Sequence, residues 1–544
     1  MKPASILLDG VEPAAGYRAR ADSRGRLLAF GVAALLACLC FAFFVVRSRN
    51  GIWFLPFNDE TEHLLGGRML NAGGRLYDTY VDSHGPVIFM LTEAYGAIFG
   101  WSAPNYARLI EPGLGLLAAS SVAVSPALRS GTEKLWGVAL FLGMLATVWL
   151  LQGLYLLNFY PVGGLLAAFG LTGFLTGVWR GGTASPPMAL VAGVSFALLF
   201  FTAYSFGPSI ILFAISACWA ASRSTRGRTT LSFVAGGAIG TLGMLAWLLA
   251  RSDLLGYLAF HIAFNQTAYA PFTGFSLDNF LRSLALSFSP SARVHAFGVL
   301  LCGLSCLLFV TTNLDAGSRR RILPILLGHV GVLLLNARGA TIFQDGTFLI
   351  AAIGVGSVAI PAALAWAAAA RPALSIAISL LLGLGIASIE FVGRQTLSTP
   401  AMMTRAEMVR QPRYLIAQPL DTAFFDKVRT VARPGEPVLA LVFWPEFYWA
   451  ADRPSMNGYY EYMPWDAAYA KSPWFGRKRD ICVDLAKSPP PVVAFDNWKV
   501  WDTYAPADYM PCVLRILATK YRQSAEDPRL YFRLDRMDAE RASR

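Results

Sequence analysis

The chain has 544 residues, of which 55% are hydrophobic and only 15% are charged, and its mean hydropathy is +0.48. Soluble domains carry about a quarter charged residues, so this composition excludes an ordinary soluble protein and predicts that most of the chain lies in lipid. The formal net charge is +12. Its basic residues fall in short clusters between apolar segments, which is typical of cytoplasmic loops of membrane proteins and argues against nucleic-acid binding.

Residues 1–26 form a basic cytoplasmic tail ahead of an apolar segment at 27–46. That segment of 20 residues is too long for a signal-peptide core, and no small-residue cleavage motif follows it, so we expect an uncleaved anchor with a cytoplasmic N-terminus. Other apolar windows of about 20 residues predict further membrane spans. They lie at 105–127, 135–152, 160–179, 188–204, 207–221, 231–250, 293–311, 323–337, 347–369 and 373–391.

The segment 86–100 decides the topology, because it is apolar but short. Its residues would reach about 22 Å as a helix, less than the hydrocarbon thickness of about 30 Å, and Glu93 lies in its middle. We therefore expect a helix that lies in the membrane interface. With this segment excluded, the chain has about 11 transmembrane helices and its basic clusters fall in cytoplasmic loops.

This topology places three polar regions on the outer face of the membrane. They are the first loop at 47–104, the middle loop at 251–292 and the C-terminal region at 392–544, so the transmembrane domain extends over 27–391. The outer face of a bacterial inner membrane has no ATP or nucleotide sugars. Chemistry on that face needs an activated donor that the membrane itself carries.

The C-terminal region is predicted to be a separate soluble α/β domain. A helical pattern at 422–432 is followed by short apolar runs at 437–443, 491–497 and 530–535, an alternation typical of a small α/β unit. Cys482 and Cys512 are the two cysteines outside the hydrophobic spans. In an oxidising compartment they would form a disulfide, and two unpaired structural thiols are the alternative.

The first loop carries three motifs in a fixed order. Asp59-Glu60 follows the first span, GGRLYD comes at 73–78, and DSHGP comes at 82–86, directly ahead of the short apolar segment. This order resembles the GT-C glycosyltransferases, integral membrane enzymes that use lipid-phosphate sugars. It is most similar to the branch that holds the protein O-mannosyltransferases and the lipid A aminoarabinose transferases. Specific residues match over about 58–100, whereas the layout is similar over the whole chain.

The resemblance implies an α-helical polytopic membrane protein with the GT-C fold and a glycosyltransferase activity at the periplasmic face of a bacterial inner membrane. The donor would be a polyprenyl-phosphate sugar, and the acceptor a glycan, a lipid or a protein. Asp59 is the candidate general base, because an acceptor hydroxyl must lose its proton as it attacks the anomeric carbon. Glu60 would either orient Asp59 or contact the acceptor.

The leaving phosphate gains negative charge, and in a site with little water a cation or hydrogen-bond donor must meet that charge. His84, where many relatives have lysine, is the first candidate, and Arg68 and Arg75 of the same loop would add charge. Arg338, at the outer boundary of a span, is a further candidate. For Arg338, snorkelling or an ion pair with Asp345 is the alternative.

Other residues are candidates for substrate contact. Tyr77 and Asp82 belong to the matching motifs of the first loop, and His261 and Asn265 belong to the aromatic middle loop. Anchoring in the headgroup zone is the alternative for the middle loop. The aromatic stretch 443–466 is expected to dock the C-terminal region on the membrane domain, with acceptor binding as the alternative.

Simpler interpretations remain for the acidic start of the first loop. Asp59 and Glu62 have the spacing of a capping box, which would make Asp59 a helix cap. Glu62 is expected to be solvated and His63 to lie on the surface. We predict no cofactor, although some GT-C enzymes use a divalent cation. A metal site from Asp59, Glu60, Glu62 and His63 is disfavoured, because adjacent side chains on a helix diverge.

A transporter or flippase of lipid-linked sugars is the competing functional class. Transporters place functional charges near the middle of the membrane, on broken helices. Here Glu111 and Glu390 are the main acidic residues within the spans, and both lie near span ends. The placement of charge therefore favours chemistry at the membrane surface. A scaffold whose outer domain is the working part would leave the first-loop motifs without a purpose.

Overall fold

The structure is a computed structural model that describes residues 23–52, 58–149, 156–174, 186–220, 226–273, 345–370, 422–441 and 443–536. The spans predicted at 293–311, 323–337 and 373–391 lie outside the described residues, as does Arg338.

The apolar part of the described chain is helical throughout. Its helices are α1 (Ser23–Gly51), α2 (Asn58–Asn71), α3 (Pro86–Phe99), α4 (Ile110–Ala123), α5 (Gly131–Trp149), α6 (Phe159–Phe174), α7 (Pro186–Thr202), α8 (Gly207–Ala220), α9 (Arg226–Arg251) and α10 (Asp345–Ala370). Every predicted span within the described ranges corresponds to one of these helices. Leu27–Gly51 of α1 and the whole of α9 are long and apolar enough to cross a membrane, and the count of eleven spans stays a prediction.

Close packing of small residues joins the helices. Helix α1 packs on α5, α6 on α10, and α7 on α9. At the α7–α9 contact a Cβ atom on Gly193 would overlap the carbonyl oxygen of Phe233, and one on Gly236 would overlap that of Leu190. Glycine at these two positions lets the helix backbones touch, as is common between membrane helices.

The two loop regions next to the candidate site are also helical. The segment 86–100 forms the separate helix α3, which begins at Pro86 and ends at Gly100 with φ 73°. In the middle loop, Leu254–Gly256, Tyr257–Tyr269 and Ala270–Thr273 continue from one into the next, and the central piece is wound as a π-helix. We call these three pieces the middle-loop helix. Side chains from α2, α3 and the middle-loop helix face one another around the residues 82–86.

The C-terminal region folds as the alternation of helices and strands predicts. Its elements are α11 (Thr422–Val431), β1 (Leu439–Leu441), α12 (Pro445–Ala451), α13 (Pro464–Ala470), α14 (Ile481–Lys487), β2 (Val492–Phe495), α15 (Pro511–Lys520), β3 (Tyr521–Gln523) and β4 (Leu530–Arg533). The strand order is β1-β2-β4-β3, with β1 parallel to β2 and with β4 antiparallel to both β2 and β3. Strands β1 and β2 are buried at every position, which is why they read as continuous apolar runs. Cys482 and Cys512 form a disulfide between α14 and α15, with Cα atoms 5.7 Å apart.

Two hydrophobic cores organise the described residues. One lies among α4, α5, α6, α7 and α10. The other is shared by the first loop, the middle-loop helix and the C-terminal region. The C-terminal region is therefore packed directly against the loops that carry the sequence motifs, and its independence as a domain stays a prediction.

Candidate functional site

Glu60 anchors the start of α2. Its side chain is 1% exposed and accepts hydrogen bonds from Arg108 Nε at 2.7 Å and Arg108 Nη2 at 2.5 Å. It also accepts one from the backbone N–H of Leu157 at 3.1 Å, while Arg108 Nη1 donates to the carbonyl of Gly51 at the end of α1. A bidentate pair of this kind fixes geometry as well as charge. Of the two roles predicted for Glu60, this arrangement favours orienting Asp59 over contacting an acceptor.

Arg108 was not a candidate in the sequence. The signal available was a basic residue at the entry of the span 105–127, followed closely by Glu111. Neither residue identifies its partner, because Glu60 lies 48 positions earlier in the chain.

Asp59 is half-buried at the first turn of α2. Burial raises the pKa of its carboxyl group to about 6; the negative charge of Asp82 adds to the rise, and the positive charge of His84 opposes it. A carboxyl group that titrates near neutral pH can accept a proton and release it again, as a general base must.

Asp82 and His84 form an ion pair within the DSHGP motif. His84 Nδ1 lies 2.8 Å from Asp82 Oδ1, and the same oxygen accepts the backbone N–H of His84 at 2.7 Å. Burial alone would lower the pKa of His84, but the adjacent carboxylate raises it to about 9. Burial alone would likewise raise the pKa of Asp82, yet the His84 charge holds it below its ordinary value. His84 is thus a cation at neutral pH, and 24% of its side chain is exposed to a ligand.

Three of the residues predicted to contact substrate form hydrogen bonds to the backbone of this motif. The Tyr77 hydroxyl donates to the carbonyl of His84 at 2.7 Å. The carbonyl of Ser83 lies 2.8 Å from His261 Nδ1 and accepts from Asn265 Nδ2 at 2.8 Å. Tyr77 and His261 are nearly fully buried, with 1% and 2% of their surface exposed. Through these contacts all three hold the backbone of Ser83 and His84.

The expectations for Glu62 and His63 are wrong. Glu62 is 3% exposed and His63 is fully buried. Burial raises the pKa of Glu62 well above its ordinary value, and the nearby carboxylates of Asp82, Glu461 and Asp59 raise it further. His63 contacts the rings of His84 and Phe89, and burial together with the His84 charge lowers its pKa to about 3. The sequence places α2 outside the membrane, but it does not show that other segments cover the helix.

A possible metal-binding group also differs from the one considered in the sequence. Glu62, Asp82 and His84 each offer a ligand atom, and these atoms lie within 4.8 Å of one another. Carboxylate oxygens and an imidazole nitrogen suit a divalent cation, so the residues fit such an ion. The ion would compete with the proton that Asp82 stabilises on His84.

The C-terminal region covers this site, as the aromatic stretch 443–466 predicts. The Tyr460 ring lies 4.4 Å from that of Tyr80, and the guanidinium of Arg68 on α2 lies over the ring of Trp449 at 5.1 Å. Arg68 also pairs with Asp452 at 2.6 Å. Arg68 thus lies in the contact between α2 and α12.

The covering region adds two carboxyl groups to the site. Glu446, at the start of α12, is 2% exposed; burial and the charge of Asp59 raise its pKa to about 7. Glu461 follows the same pattern: burial, then the charges of Asp466 and Asp82, raise its pKa to about 8. In the sequence, Glu446 and Glu461 stand out only as carboxylates among aromatic residues. That pattern indicates a contact surface, but it does not show which part of the protein the surface contacts.

The remaining arginine of the first loop has another partner. The Arg75 guanidinium donates to the backbone carbonyl of Ser252, just beyond the end of α9. Glu93 of α3 pairs with Arg251, whose Nε lies 2.6 Å from the carboxylate. These contacts join the first loop to the C-terminal end of α9. Within the described part of the chain, His84 pairs with Asp82 and the buried Arg479 lies 3.6 Å from Asp466, so both are cations among the carboxyl groups of the site.

Comparison with solved structures agrees with this architecture. The chain is similar to ArnT from Cupriavidus metallidurans bound to undecaprenyl phosphate, with a TM-score of 0.52 and 14% identity over 92% of this chain and 97% of ArnT. It is also similar to the oligosaccharyltransferase AglB from Archaeoglobus fulgidus in complex with an inhibitory peptide and a dolichol-phosphate, with a TM-score of 0.45 and 12% identity over 89% of this chain and 72% of AglB. No protein-family model and no curated protein matches the chain. ArnT and AglB are both GT-C glycosyltransferases. The likeness to ArnT over nearly the whole of both chains shows that this protein has the GT-C fold that its first loop predicts.

Proposed function

We propose that this protein is a glycosyltransferase that moves a sugar from a polyprenyl-phosphate donor to an acceptor on the outer face of the membrane, with Asp59 as the general base. The observation that carries the proposal is the His84–Asp82 ion pair, with His84 Nδ1 2.8 Å from Asp82 Oδ1, in the same site as the half-buried Asp59 carboxyl group, whose pKa burial raises to about 6. The fold shared with ArnT, which was crystallised with undecaprenyl phosphate, supports a lipid-linked donor.

The reaction needs both groups at once. The acceptor hydroxyl oxygen forms a bond to the anomeric carbon of the sugar, and its proton passes to the Asp59 carboxylate. The bond between that carbon and the phosphate oxygen breaks, and its electron pair leaves with the polyprenyl phosphate. The His84 imidazolium meets the charge that develops on this phosphate. Asp82 keeps His84 protonated.

The surrounding residues orient these two groups. The Glu60–Arg108 pair holds the first turn of α2, while Tyr77, His261 and Asn265 hold the turn that carries His84. A divalent cation held by Glu62, Asp82 and His84 would replace the proton on His84 and would itself supply the positive charge for the leaving phosphate.

The finer features of the protein belong to the same proposal. They are the eleven-span topology, a cytoplasmic N-terminus, a periplasmic C-terminal domain and location in a bacterial inner membrane. Arg338 remains a proposed second contact of the donor phosphate. For Arg68 and Arg75, the contacts with Asp452 and Ser252 support a structural role rather than a phosphate contact.

The test is sugar transfer in proteoliposomes, from a panel of radiolabelled polyprenyl-phosphate sugars to membrane acceptors, by wild type and Asp59→Asn. Asparagine keeps the size and capping capacity of the residue but cannot take the proton. We expect wild type to transfer one of the sugars and the variant to lose transfer while keeping the thermal stability of the wild type. Asp78→Asn, at an exposed position of the same loop, is the matched control and should transfer normally.

Two outcomes would contradict the proposal. Normal transfer by Asp59→Asn would show that Asp59 is not the general base and would favour its role as a helix cap. Wild type that transfers none of the sugars but moves a labelled donor lipid from one leaflet to the other would favour the transporter.

A further inference from the structure

An exposed aromatic tip projects from the C-terminal region. We use this name for residues 471–478, KSPWFGRK. The side chains of Trp474 and Phe475 are 48% and 52% exposed, and the left-handed backbone at Phe475 and Gly476, with φ of 53° and 66°, forms the turn between them and the basic end. Such large rings are normally buried, and an adjacent exposed pair marks a contact surface.

The tip is fixed to the transmembrane domain at the end of a span. Arg477 pairs with Asp253 at 2.8 Å, and Asp253 follows Arg251, the last residue of the membrane-crossing candidate α9, by two positions. The backbone N–H of Trp474 donates to the hydroxyl of Tyr469 at 3.1 Å, and the Tyr469 ring packs on the middle-loop helix. The aromatic tip therefore lies beside the C-terminal end of α9, which is the depth at which this helix would leave a membrane.

The neighbouring surface has the character expected at that depth. Leu254, Leu255 and Leu258 of the middle-loop helix are 37%, 45% and 37% exposed. They stand next to the ion pair that holds the tip. Exposed leucines beside a span end are typical of a segment that rests on the acyl chains.

The charges of the tip indicate which membrane component it meets. Lys471 and Lys478 are exposed at its two ends. Asp480 lies 3.3 Å from Lys478 and offsets part of the charge. Arg477 is already paired with Asp253. Aromatic rings at headgroup level, flanked by lysines, form the arrangement by which proteins seat themselves in an anionic bilayer surface.

We propose that the aromatic tip is a membrane-surface anchor, in which Trp474 and Phe475 enter the interfacial zone while Lys471 and Lys478 contact the headgroups of anionic phospholipids. The anchor ties the C-terminal region to the bilayer at one edge, while Arg68–Asp452 and the aromatic contacts tie it to the first loop. Such a two-sided attachment keeps Glu446 and Glu461 over the site.

The test measures the depth of the tip in the bilayer. Full-length protein carrying Phe475→Cys is spin-labelled and placed in nanodiscs of phosphatidylcholine with or without phosphatidylglycerol. Collision of the label with oxygen, which concentrates in lipid, is compared with collision with a nickel chelate, which stays in water. Gln523→Cys, on the exposed edge strand β3, is the matched control, and wild type taken through the same labelling gives the background from native thiols.

We expect the label at position 475 to favour oxygen over nickel and to lie at headgroup depth, whereas the label at 523 favours nickel. Phosphatidylglycerol should deepen the label at 475, and Lys471→Gln with Lys478→Gln should remove that response. Equal accessibility at 475 and 523 would overturn the proposal. A label at 475 that is shielded from both reagents would also overturn it and indicate a protein contact. If the depth of the label at 475 did not change with phosphatidylglycerol, the contact with anionic lipid would be refuted.

Discussion

Replacing Asp82 by asparagine removes the carboxylate that lies 2.8 Å from His84 Nδ1 while keeping the volume of the side chain. In the wild type this carboxylate raises the pKa of His84 from 6.5 to about 9, which corresponds to about 3 kcal/mol in favour of the protonated imidazole. With asparagine the pKa should fall to about 6.5 or below, because burial then acts without its main counter-charge. At pH 7.5 about one His84 in ten would remain protonated.

The consequence is measurable as a pH profile of sugar transfer. For the wild type we expect activity from about pH 6, where Asp59 ionises, to about pH 9, where His84 loses its proton. In Asp82→Asn the alkaline limit moves toward acid with the pKa of His84. The acid limit is still set by Asp59, whose pKa loses the raising effect of Asp82 and, once His84 is neutral, the larger lowering effect of His84. Transfer at pH 7.5 should fall about tenfold and recover in part near pH 6.

A second variant separates charge from folding. His84→Lys in the Asp82→Asn background restores a cation with an ordinary pKa of about 10.4, so transfer at pH 7.5 should return. An alkaline limit that stays near pH 9 in Asp82→Asn would refute the reasoning. The reasoning would also be refuted if the double variant folded as the wild type does but remained inactive at every pH.

Three further predictions concern the framework of the site. Arg108→Met leaves Glu60 buried without its counter-charge and should lower the free energy of unfolding by about 3–5 kcal/mol. We expect a lower melting temperature in detergent, which adding Glu60→Gln should partly restore. An unchanged melting temperature would contradict the pairing. Arg68→Met and Asp452→Asn should each cost about 1 kcal/mol or less, since the pair is exposed, and should leave KM for the donor unchanged; a donor defect confined to Arg68→Met would instead support phosphate binding. Cys482→Ser, or reduction of the disulfide, should destabilise the C-terminal region by about 2–4 kcal/mol. The loss would be measured as faster digestion of this region by a protease. Equal protection with and without reductant would argue against a structural role of the disulfide.

Local sequence patterns predicted many of the helices and strands, because secondary structure depends largely on residues that are close in the chain. The short apolar run at 86–100, with Glu93 in its middle, predicts a helix, and the helix forms at Pro86–Phe99. The strands near 437–443 and 491–497 were predicted from continuous apolar runs, and they form buried parallel neighbours. The motif order in the first loop was sufficient to predict the GT-C fold.

Contacts between distant segments could not be predicted in the same way. Glu62 and His63 have the composition of a solvated helix turn, yet both are buried, because α3, the segment after 156 and the C-terminal region pack on α2. Tyr77 and Asn265 looked like substrate contacts because they lie in or near motifs, but their hydrogen bonds go to the backbone of the 82–86 turn.

The sequence by itself predicted the membrane character, the apolar helices and the α/β pattern of the C-terminal region, and the resemblance of its first loop led to the proposal of Asp59 and His84 as the chemical pair. Hydropathy and residue type are sufficient for these, since each is set within a window of about 20 residues or a short motif. Tertiary structure alone decided the protonation of that pair. The pKa values of Asp59 and His84 depend on burial and on carboxylates brought together from α2, the 82–86 turn and the C-terminal region, and electrostatic interactions act through space rather than along the chain.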